Sequence, residues 1–417
     1  MGRWLALAAL MAAVAVAAPA PGLLLVAFVT VGYGTVTRLW THFGVRRVTY
    51  ERRLSSDRAV AGDSLTLDVS IWNRKPLPLP WVAADDLVTD GLEIRERPVM
   101  DRDNELLMRR VMHNAWALAW YERVVRHFHL DAVSRGVYDF GPVRIQVRDI
   151  LGRDAADEEH ELPARLVVSP RTLPVRRAET GAAPMGDRRA RSSLFADPAL
   201  YGGVRPFQAG DPLRQVHWRA TARLGSVVSR RYEPARGQQV VLAVDVQTVD
   251  GPQGQVYWDE DAFEALCVAA ASLSRRLLDD GASVGVAAPS FTGTPQRLAW
   301  LPPRASAGQM GAVGALLARI GPVSSGAFEG LLTWLTRSVP PGTTVMVLTA
   351  RSPARYLPVL RRLALSGYAV ELITLGADGA EHASMARRSG FAAAAARLGA
   401  HRADAGWREA DALLVGV

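Results

Sequence analysis

Short apolar runs alternate with amphipathic segments from Gln238 onward, and this alternation restricts the second half of the chain to a helix-covered sheet. Val240–Val246 and Thr344–Thr349 are apolar nearly throughout, which is typical of strands buried on both faces. The segments that separate the strands have helical length and spacing. Since strands that are joined through helices lie parallel, the pattern predicts a doubly wound α/β domain over residues 237–417.

The other elements of this domain follow from the same periodicity. We expect helices at Asp261–Leu278, Gln309–Ile320, Phe328–Ser338 and Pro353–Ser366, and strands at Ser283–Ala288 and Ala369–Leu375. The alanine-rich run Phe391–Leu398 predicts another helix, because alanine has the highest helix propensity. The closing block Trp407–Val417 predicts a helix and a strand. Because Cys267 is the single cysteine of the chain, an internal disulfide is excluded.

Residues 45–169 show a two-residue periodicity instead. Leu65–Trp72 and Val124–Val133 alternate apolar and polar residues, as strands with one buried face do. The glycines and proline of Arg135–Pro142 predict a turn, and Val143–Val147 predicts the strand that follows it. We therefore expect a β-rich domain of the immunoglobulin-like sandwich type.

The chain begins with two apolar runs, Trp4–Ala18 and Leu23–Val36. They fit either a cleaved signal peptide followed by one span, or a transmembrane helical hairpin over residues 1–40. Basic residues precede the first run and follow the second, which favours the hairpin with both ends in the cytoplasm. This interpretation predicts a cell-membrane protein that contacts the lipid bilayer through residues 4–36 and has a cytoplasmic body.

Residues 170–197 are rich in arginine, proline and glycine, and they predict a basic linker between the two domains. The formal net charge of the chain is +8 at pH 7. This charge makes anionic lipid a candidate partner. Nucleic acid is not expected, because no aromatic-studded strand, zinc-ligand spacing or recognition helix accompanies the charge.

The motif at residues 198–236 combines a predicted helix with a predicted strand. Asp211 suits an N-cap, Pro212 suits the first helical position, and Gly225 suits the stop. The helix carries Arg214, His217, Trp218, Arg219 and Arg223. The arginines either dock an acidic partner or pair internally with Asp211 and Glu233, and the spacing allows both.

Two residues of this helix attract separate expectations. Trp218 is predicted to anchor an inter-domain contact, because a large aromatic in a capped helix gains most from burial. His217 has no serine, cysteine or second histidine at catalytic or metal-binding spacing, so no catalytic role is predicted for it.

The motif resembles that of the DUF58 family. The matching residues are Arg205, Phe207, Gly210, Asp211, Arg214, His217, Trp218, Thr221, Ala222, Arg223 and Glu233. A second block, RGVYDFGPVRIQVRDILG at residues 135–152, also resembles the family. The resemblance implies a von Willebrand factor A-type fold for residues 237–417 and a MoxR-type AAA+ ATPase as a partner.

Domains of the A type often bind a divalent ion through a D-x-S-x-S motif after the first strand and an acidic residue after a later strand. Asp245 stands at the first position, but Gln247 and Val249 replace the serines, and Ala350 replaces the second acidic residue. Arg351 adds a positive charge beside it. We therefore expect a degenerate ion site, with no metal and no cofactor.

No signature of a catalytic site accompanies these motifs. The sequence contains no P-loop, no G-x-S-x-G nucleophile elbow and no H-E-x-x-H zinc motif. The expectation is a membrane-anchored, non-enzymatic scaffold or adaptor that mediates protein–protein interaction. The alternative is a divalent-ion-dependent module, either adhesion-like or hydrolytic.

Overall fold

The fold was analysed in a computed structural model. It describes residues 13–14, 21–89, 91–94, 99–104, 109–148, 155–177, 196–206, 216–234, 238–249, 258–292, 298–399 and 411–416. The chain divides into two compact units, Met1–Ser169 and Pro170–Val417.

The predicted transmembrane hairpin is wrong. Within the described ranges, no helix combines the length and the apolar character that crossing a bilayer requires. The second apolar run belongs to helix α1, Pro21–Gly44, in which threonines, glycines, Arg38 and His42 interrupt the apolar residues. The first run, Trp4–Ala18, lies almost wholly outside the described residues.

After α1, the first unit consists of strands. They are β1 Val48–Leu54, β2 Arg58–Val60, β3 Ser64–Asn73, β4 Leu79–Thr89, β5 Glu93–Ile94, β6 Val99–Asn104, β7 Arg109–Leu118, β8 Arg123–Asp131, β9 Gly136–Arg148, β10 Ala155–His160 and β11 Ala164–Ser169. One sheet has the order β1-β3-β8-β5, and the other has the order β2-β11-β9-β4-β7-β6 with β10 beside β9. Alternate side chains of both sheets, such as Leu67 and Ile71 from β3 and Ile145 from β9, meet in one apolar core. The predicted β-sandwich is therefore present.

The predicted turn at Arg135–Pro142 is wrong, because β9 continues through it and pairs with β4 and β11. Gly141 is required here by a close approach of the backbone rather than by a turn. Its φ is +92°, and a Cβ atom at this position would lie 2.9 Å from the carbonyl oxygen of Leu162. A residue with a side chain would push these two segments apart.

A buried ion pair joins the two sheets of the sandwich. The guanidinium of Arg52, on β1, donates to the carboxylate of Asp86, on β4, and both side chains are almost fully buried. The Tyr50 hydroxyl donates to Asp86 Oδ2 at 2.9 Å, and Arg52 also donates to the Leu162 carbonyl. Burial raises the pKa of Asp86, and the Arg52 charge opposes this effect.

The second unit contains one large sheet and one separate pair of strands. Its strands are β12 Val175–Arg177, β13 Ala196–Pro206, β14 Val228–Pro234, β15 Gln239–Val244, β16 Ser283–Ala288, β17 Ala299–Arg304, β18 Thr344–Thr349, β19 Ala369–Thr374, β20 Ala392–Gly399 and β21 Ala412–Val415. Its helices are α2 Trp218–Leu224, α3 Glu260–Asp279, α4 Gln309–Arg319, α5 Phe328–Ser338, α6 Leu357–Leu365 and α7 Gly379–Arg388, with a 3-10 turn at Pro353–Arg355. The large sheet has the order β12-β21-β20-β19-β18-β15-β16-β17, and β13 pairs only with β14.

The middle of the large sheet is parallel, from β20 through β19, β18 and β15 to β16. Val240 and Leu242 of β15 point to one face, where they pack with α3 and α4. Val241 and Ala243 point to the other face, where they pack with α5 and α6. Both faces of the sheet are therefore covered, which is why its strands are apolar throughout.

Two further predictions for this unit are wrong. Phe391–Leu398 is not a helix, because Ala392–Gly399 forms β20 and pairs with both β19 and β21. Sheet pairing here outweighs the helix propensity of alanine, which is small for each residue. The linker predicted from residue 170 contains β12, which pairs with β21, so its first part belongs to the sheet. Residues 178–195 and the helix predicted near Trp407 lie outside the described residues.

We predict that Asp86→Ala lowers the free energy of unfolding of the first unit by about 3–5 kcal/mol, because it leaves the Arg52 guanidinium buried without its partner. The matched control is Asp157→Ala, which breaks the half-exposed pair between Asp157 and Arg144. This control should cost less than about 1 kcal/mol. Urea unfolding of both variants of the full chain measures the difference, and equal losses would contradict the assignment of Arg52–Asp86 as the main tie between the sheets.

Candidate functional site

The candidate site lies where β15 and β18 end. These neighbouring strands are parallel, so their carboxyl ends meet at one edge of the sheet. Asp245 follows β15 directly, and Thr349 closes β18 just before Ala350 and Arg351. In open α/β sheets, ligands bind at this edge.

The Asp245 carboxylate is fully engaged by the Arg351 guanidinium. Arg351 Nη2 lies 2.8 Å from Oδ2 and 3.1 Å from Oδ1, and Nε lies 3.0 Å from Oδ2. Both side chains are buried, and the contact between them is bidentate. The planar guanidinium matches the two carboxylate oxygens and holds the loop after β18 against the end of β15.

Two hydroxyl groups complete this cluster. Thr349 Oγ1 donates to Asp245 Oδ2 at 3.2 Å and lies 2.7 Å from the Tyr356 hydroxyl, which is 3.4 Å from the same oxygen. The Arg351 backbone N–H donates to Thr349 Oγ1 at 3.0 Å. Neither Thr349 nor Tyr356 was expected at the site from sequence, because they lie more than a hundred residues from Asp245 and match no local motif.

Opposing effects set the charge of Asp245. Burial raises the pKa of its carboxyl, while the Arg351 charge and the hydrogen bonds from Arg351, Gln247 and Thr349 lower it, and the net result is a pKa of about 6. The bidentate contact with the Arg351 guanidinium favours the ionised carboxylate, so that a buried negative charge faces a buried positive charge.

The other positions of the predicted ion motif supply no further acidic ligand. Gln247 contributes its backbone N–H, which donates to Asp245 Oδ1 at 3.3 Å. Val249 is exposed, and Ala350 is half-buried. Thr248 Oγ1 accepts from the Asp259 backbone N–H at 2.7 Å, next to the start of α3. Among the residues that the structure describes, no group of three or more His, Cys, Asp or Glu side chains could hold a metal ion. The polar groups at this edge of the sheet therefore form an internal ion pair, which the hydroxyl groups of Thr349 and Tyr356 contact.

The predicted helix of the motif is shorter than expected. Val216 forms a bridge with Ser229, so the chain is still extended there, and α2 starts only at Trp218. His217 is the N-cap, and its Nδ1 accepts from the Ala220 backbone N–H at 3.1 Å. Gly225 ends the helix with a φ of +68°, as predicted. His217 therefore has a structural part at the start of the helix.

Helix α2 is exposed, and it contributes no buried residue. The Trp218 side chain is 65% exposed and Leu224 is 61% exposed. The inter-domain contact expected of Trp218 stays a prediction. Arg219 and Arg223 are also exposed. We call Trp218, Arg219, Arg223, Leu224 and the exposed Val227 the α2 face.

The remaining motif residues are only partly placed. The backbone of Arg205 pairs with that of Ser229 where β13 meets β14, and Glu233 lies on β14. Gly210, Asp211 and Arg214 lie outside the described residues, as does Phe207. The choice between docking and internal pairing therefore depends on α2, where Arg219 and Arg223 are described.

Residues 203–349 match a family described as "Protein of unknown function DUF58". This range contains α2, Asp245 and Thr349 and ends just before Arg351. The chain is 25% identical over 252 residues to the uncharacterized protein YeaD of Bacillus subtilis, strain 168. That similarity covers 59% of this chain and 56% of the length of YeaD.

Solved structures resemble the chain only slightly. The CARDB domain of the PF1109 protein from Pyrococcus furiosus, solved with di-metal ions, has 13% identity and a TM-score of 0.19, covering 29% of this chain and 86% of that one. A cohesin module from a Clostridium perfringens family 33 glycoside hydrolase has 10% identity and a TM-score of 0.20, covering 30% of this chain and 97% of that one. Neither likeness bears on function.

We predict that Arg351→Ala lowers the free energy of unfolding of the second unit by about 3–5 kcal/mol at pH 8, because it leaves a buried, unpaired carboxylate. Without Arg351, the pKa of Asp245 in the folded state rises further above its value in the unfolded state. The deficit should therefore be largest above that folded pKa and shrink as the pH falls through it.

Denaturant unfolding at pH 8 and pH 5 tests this prediction. The control is Arg355→Ala, since Arg355 is exposed and lies 3.9 Å from Glu329. It should cost less than about 1 kcal/mol at both pH values. A loss for Arg351→Ala that is small, or that does not change with pH, would contradict the pairing with ionised Asp245.

Proposed function

We propose that the protein is a non-enzymatic adaptor that binds another protein through the α2 face. The observation that carries this proposal is the exposure of Trp218 and Leu224 on a helix that buries no residue. Large apolar side chains that are exposed on a helix favour burial against a partner. Tryptophan and arginine are also the residues most enriched at the energetic centres of protein interfaces.

The charge of the α2 face indicates the chemistry of the partner. Arg219 and Arg223 lie four residues apart, one turn of the helix, and the sequence of α2 contains no acidic residue. A partner that presents carboxylates around an apolar pocket would complement both the arginines and Trp218. The α2 face is therefore suited to an acidic segment of another protein.

The resemblance to the DUF58 family suggests the identity of the binding partner. We propose a MoxR-type AAA+ ATPase as the partner and a von Willebrand factor A-like fold for the second unit. In such a fold the Arg351 guanidinium would occupy the place of the divalent ion, since it takes both oxygens of Asp245. Binding through the α2 face would then require no metal, and this geometry disfavours the ion-dependent adhesion-like or hydrolytic alternative.

Calorimetric titration of the full chain with a MoxR-type ATPase from the same genome, in the presence of EDTA, tests the proposal. We expect Trp218→Ala and the double variant Arg219→Glu/Arg223→Glu each to weaken binding by at least roughly tenfold, as substitutions at interface centres do. Neither variant should lower the thermal unfolding midpoint by much, because these side chains are exposed.

Two controls come from α6 of the same unit. Leu365→Ala removes a side chain that is 88% exposed, and Arg361→Glu/Arg362→Glu reverses two exposed charges. Both should leave the affinity unchanged. Equal weakening by the control charge reversal would reduce the effect to net charge, and full affinity of the Trp218 variant would refute the α2 face as the docking surface.

A further inference from the structure

One end of the sandwich in the first unit gathers three segments of the chain. They are the start of β1, the connection between β3 and β4, and the connection between β7 and β8, which crosses from one sheet to the other. The Arg74 backbone N–H donates to the Arg47 carbonyl at 3.0 Å, and that of Tyr121 donates to the Lys75 carbonyl at 3.2 Å. The Lys75 ammonium is buried and donates to the carbonyls of Gly44 and Arg46. These bonds fix the three segments to one another.

The connection between β7 and β8 presents two large aromatic side chains to solvent. Trp120 is 66% exposed and Tyr121 is 62% exposed. Tyr121 has a φ of +56°, and Arg47 has a φ of +58°. Among the described residues, these two are the only non-glycine residues with positive φ. Glycine would fit this backbone better than tyrosine does.

Arginine side chains stack on two other aromatic rings, those of Trp72 and Phe43. The Arg74 guanidinium lies 3.9 Å above the centre of the Trp72 ring, and the Arg123 guanidinium lies 5.9 Å from the same ring. The Arg46 guanidinium lies 5.6 Å from the Phe43 ring. Stacking on a ring orients a guanidinium and leaves N–H groups at its edge. Those of Arg123 are partly taken, because its Nη2 donates to Glu51 Oε2 at 2.9 Å and to Ser70 Oγ at 3.1 Å.

We propose that this aromatic–arginine end, defined as Arg46, Trp72, Arg74, Trp120, Tyr121 and Arg123, docks on an anionic lipid surface. Trp120 and Tyr121 would enter the headgroup region, where amphipathic rings are most stable, and Arg46 and Arg74 would contact lipid phosphates. This surface differs from the α2 face and is independent of the proposed adaptor function. It requires no helix to cross the bilayer, because only side chains at the tip of the unit enter the interface.

Lipid and nucleic acid both carry phosphates, but the apolar side chains exposed on α1 favour lipid as the partner. Helix α1 ends at Gly44, where an added Cβ atom would meet the side chains of Val147 and Leu79 from the same end of the sandwich. Along its length α1 exposes apolar side chains, among them Leu25 and Phe28. An apolar surface that begins beside an arginine cluster fits a lipid interface, whereas a nucleic acid presents no apolar counterpart to it.

Flotation of the full chain with vesicles tests the proposal. The readout is the ratio of partitioning into vesicles with 30% phosphatidylserine to partitioning into pure phosphatidylcholine, about one lipid in three being anionic in the first set. This ratio separates the charge effect from adsorption of α1. We expect Arg46→Gln/Arg74→Gln to lower the ratio by at least about fivefold. The matched control Arg53→Gln/Arg58→Gln removes two exposed arginines elsewhere in the unit and should leave the ratio unchanged.

The aromatic tip is tested with Trp120→Ser/Tyr121→Gly, which should weaken partitioning into anionic vesicles. Glycine suits the positive φ at residue 121, so the thermal unfolding midpoint should not fall on that account. A fluorophore on Ala119→Cys reports the position of the tip, since the native Cys267 is buried. We expect a blue shift and quenching by brominated lipid on anionic vesicles.

An unchanged ratio in both sets of variants, or a label that stays in water, would overturn the proposal. Loss of single-stranded oligonucleotide binding in these variants, with vesicle binding retained, would assign the surface to nucleic acid instead.

Discussion

The ion pair between Asp245 and Arg351 governs what the second unit can do. It lies where the parallel strands β15 and β18 end, which is the edge at which an α/β sheet offers a ligand its best position. The guanidinium meets both carboxylate oxygens there, and Thr349 and Tyr356 supply hydroxyl groups. An ion at this place would have to displace a buried arginine and leave its charge unpaired.

Because the ion pair occupies this edge, the exposed surfaces of the unit are the better candidates for binding. Helix α2 is exposed and basic, and it begins with the exposed Trp218. It lies within the segment that matches the DUF58 family. In the first unit the aromatic–arginine end is exposed in the same way. Both surfaces present tryptophan and arginine, the residues most enriched at the energetic centres of protein interfaces.

The sequence predicts the regular parts of this fold well and its exceptions poorly. Apolar periodicity places β16, β18 and α5 at their observed bounds, because each element buries its own repeating face. The helix predicted at Phe391–Leu398 is wrong because an alanine run has no alternation of apolar and polar residues. Only pairing with the neighbouring strands decides its structure. The start of α2 was misplaced because Asp211 and Pro212 suit a helix start, while the bridge of Val216 to Ser229 depends on a distant strand. Asp245 and Arg351 were recognised, whereas Thr349 and Tyr356 reach the site only through tertiary folding.

Isothermal titration of the full chain with magnesium, calcium and manganese tests the central claim most directly, namely that Arg351 holds the Asp245 carboxylate and leaves it unable to bind an ion. We expect no saturable heat with any of the three ions, for the wild-type chain and for Asp245→Ala alike. Saturable binding by the wild-type chain that Asp245→Ala abolishes would show that the carboxylate leaves Arg351 for a metal, and it would contradict the account.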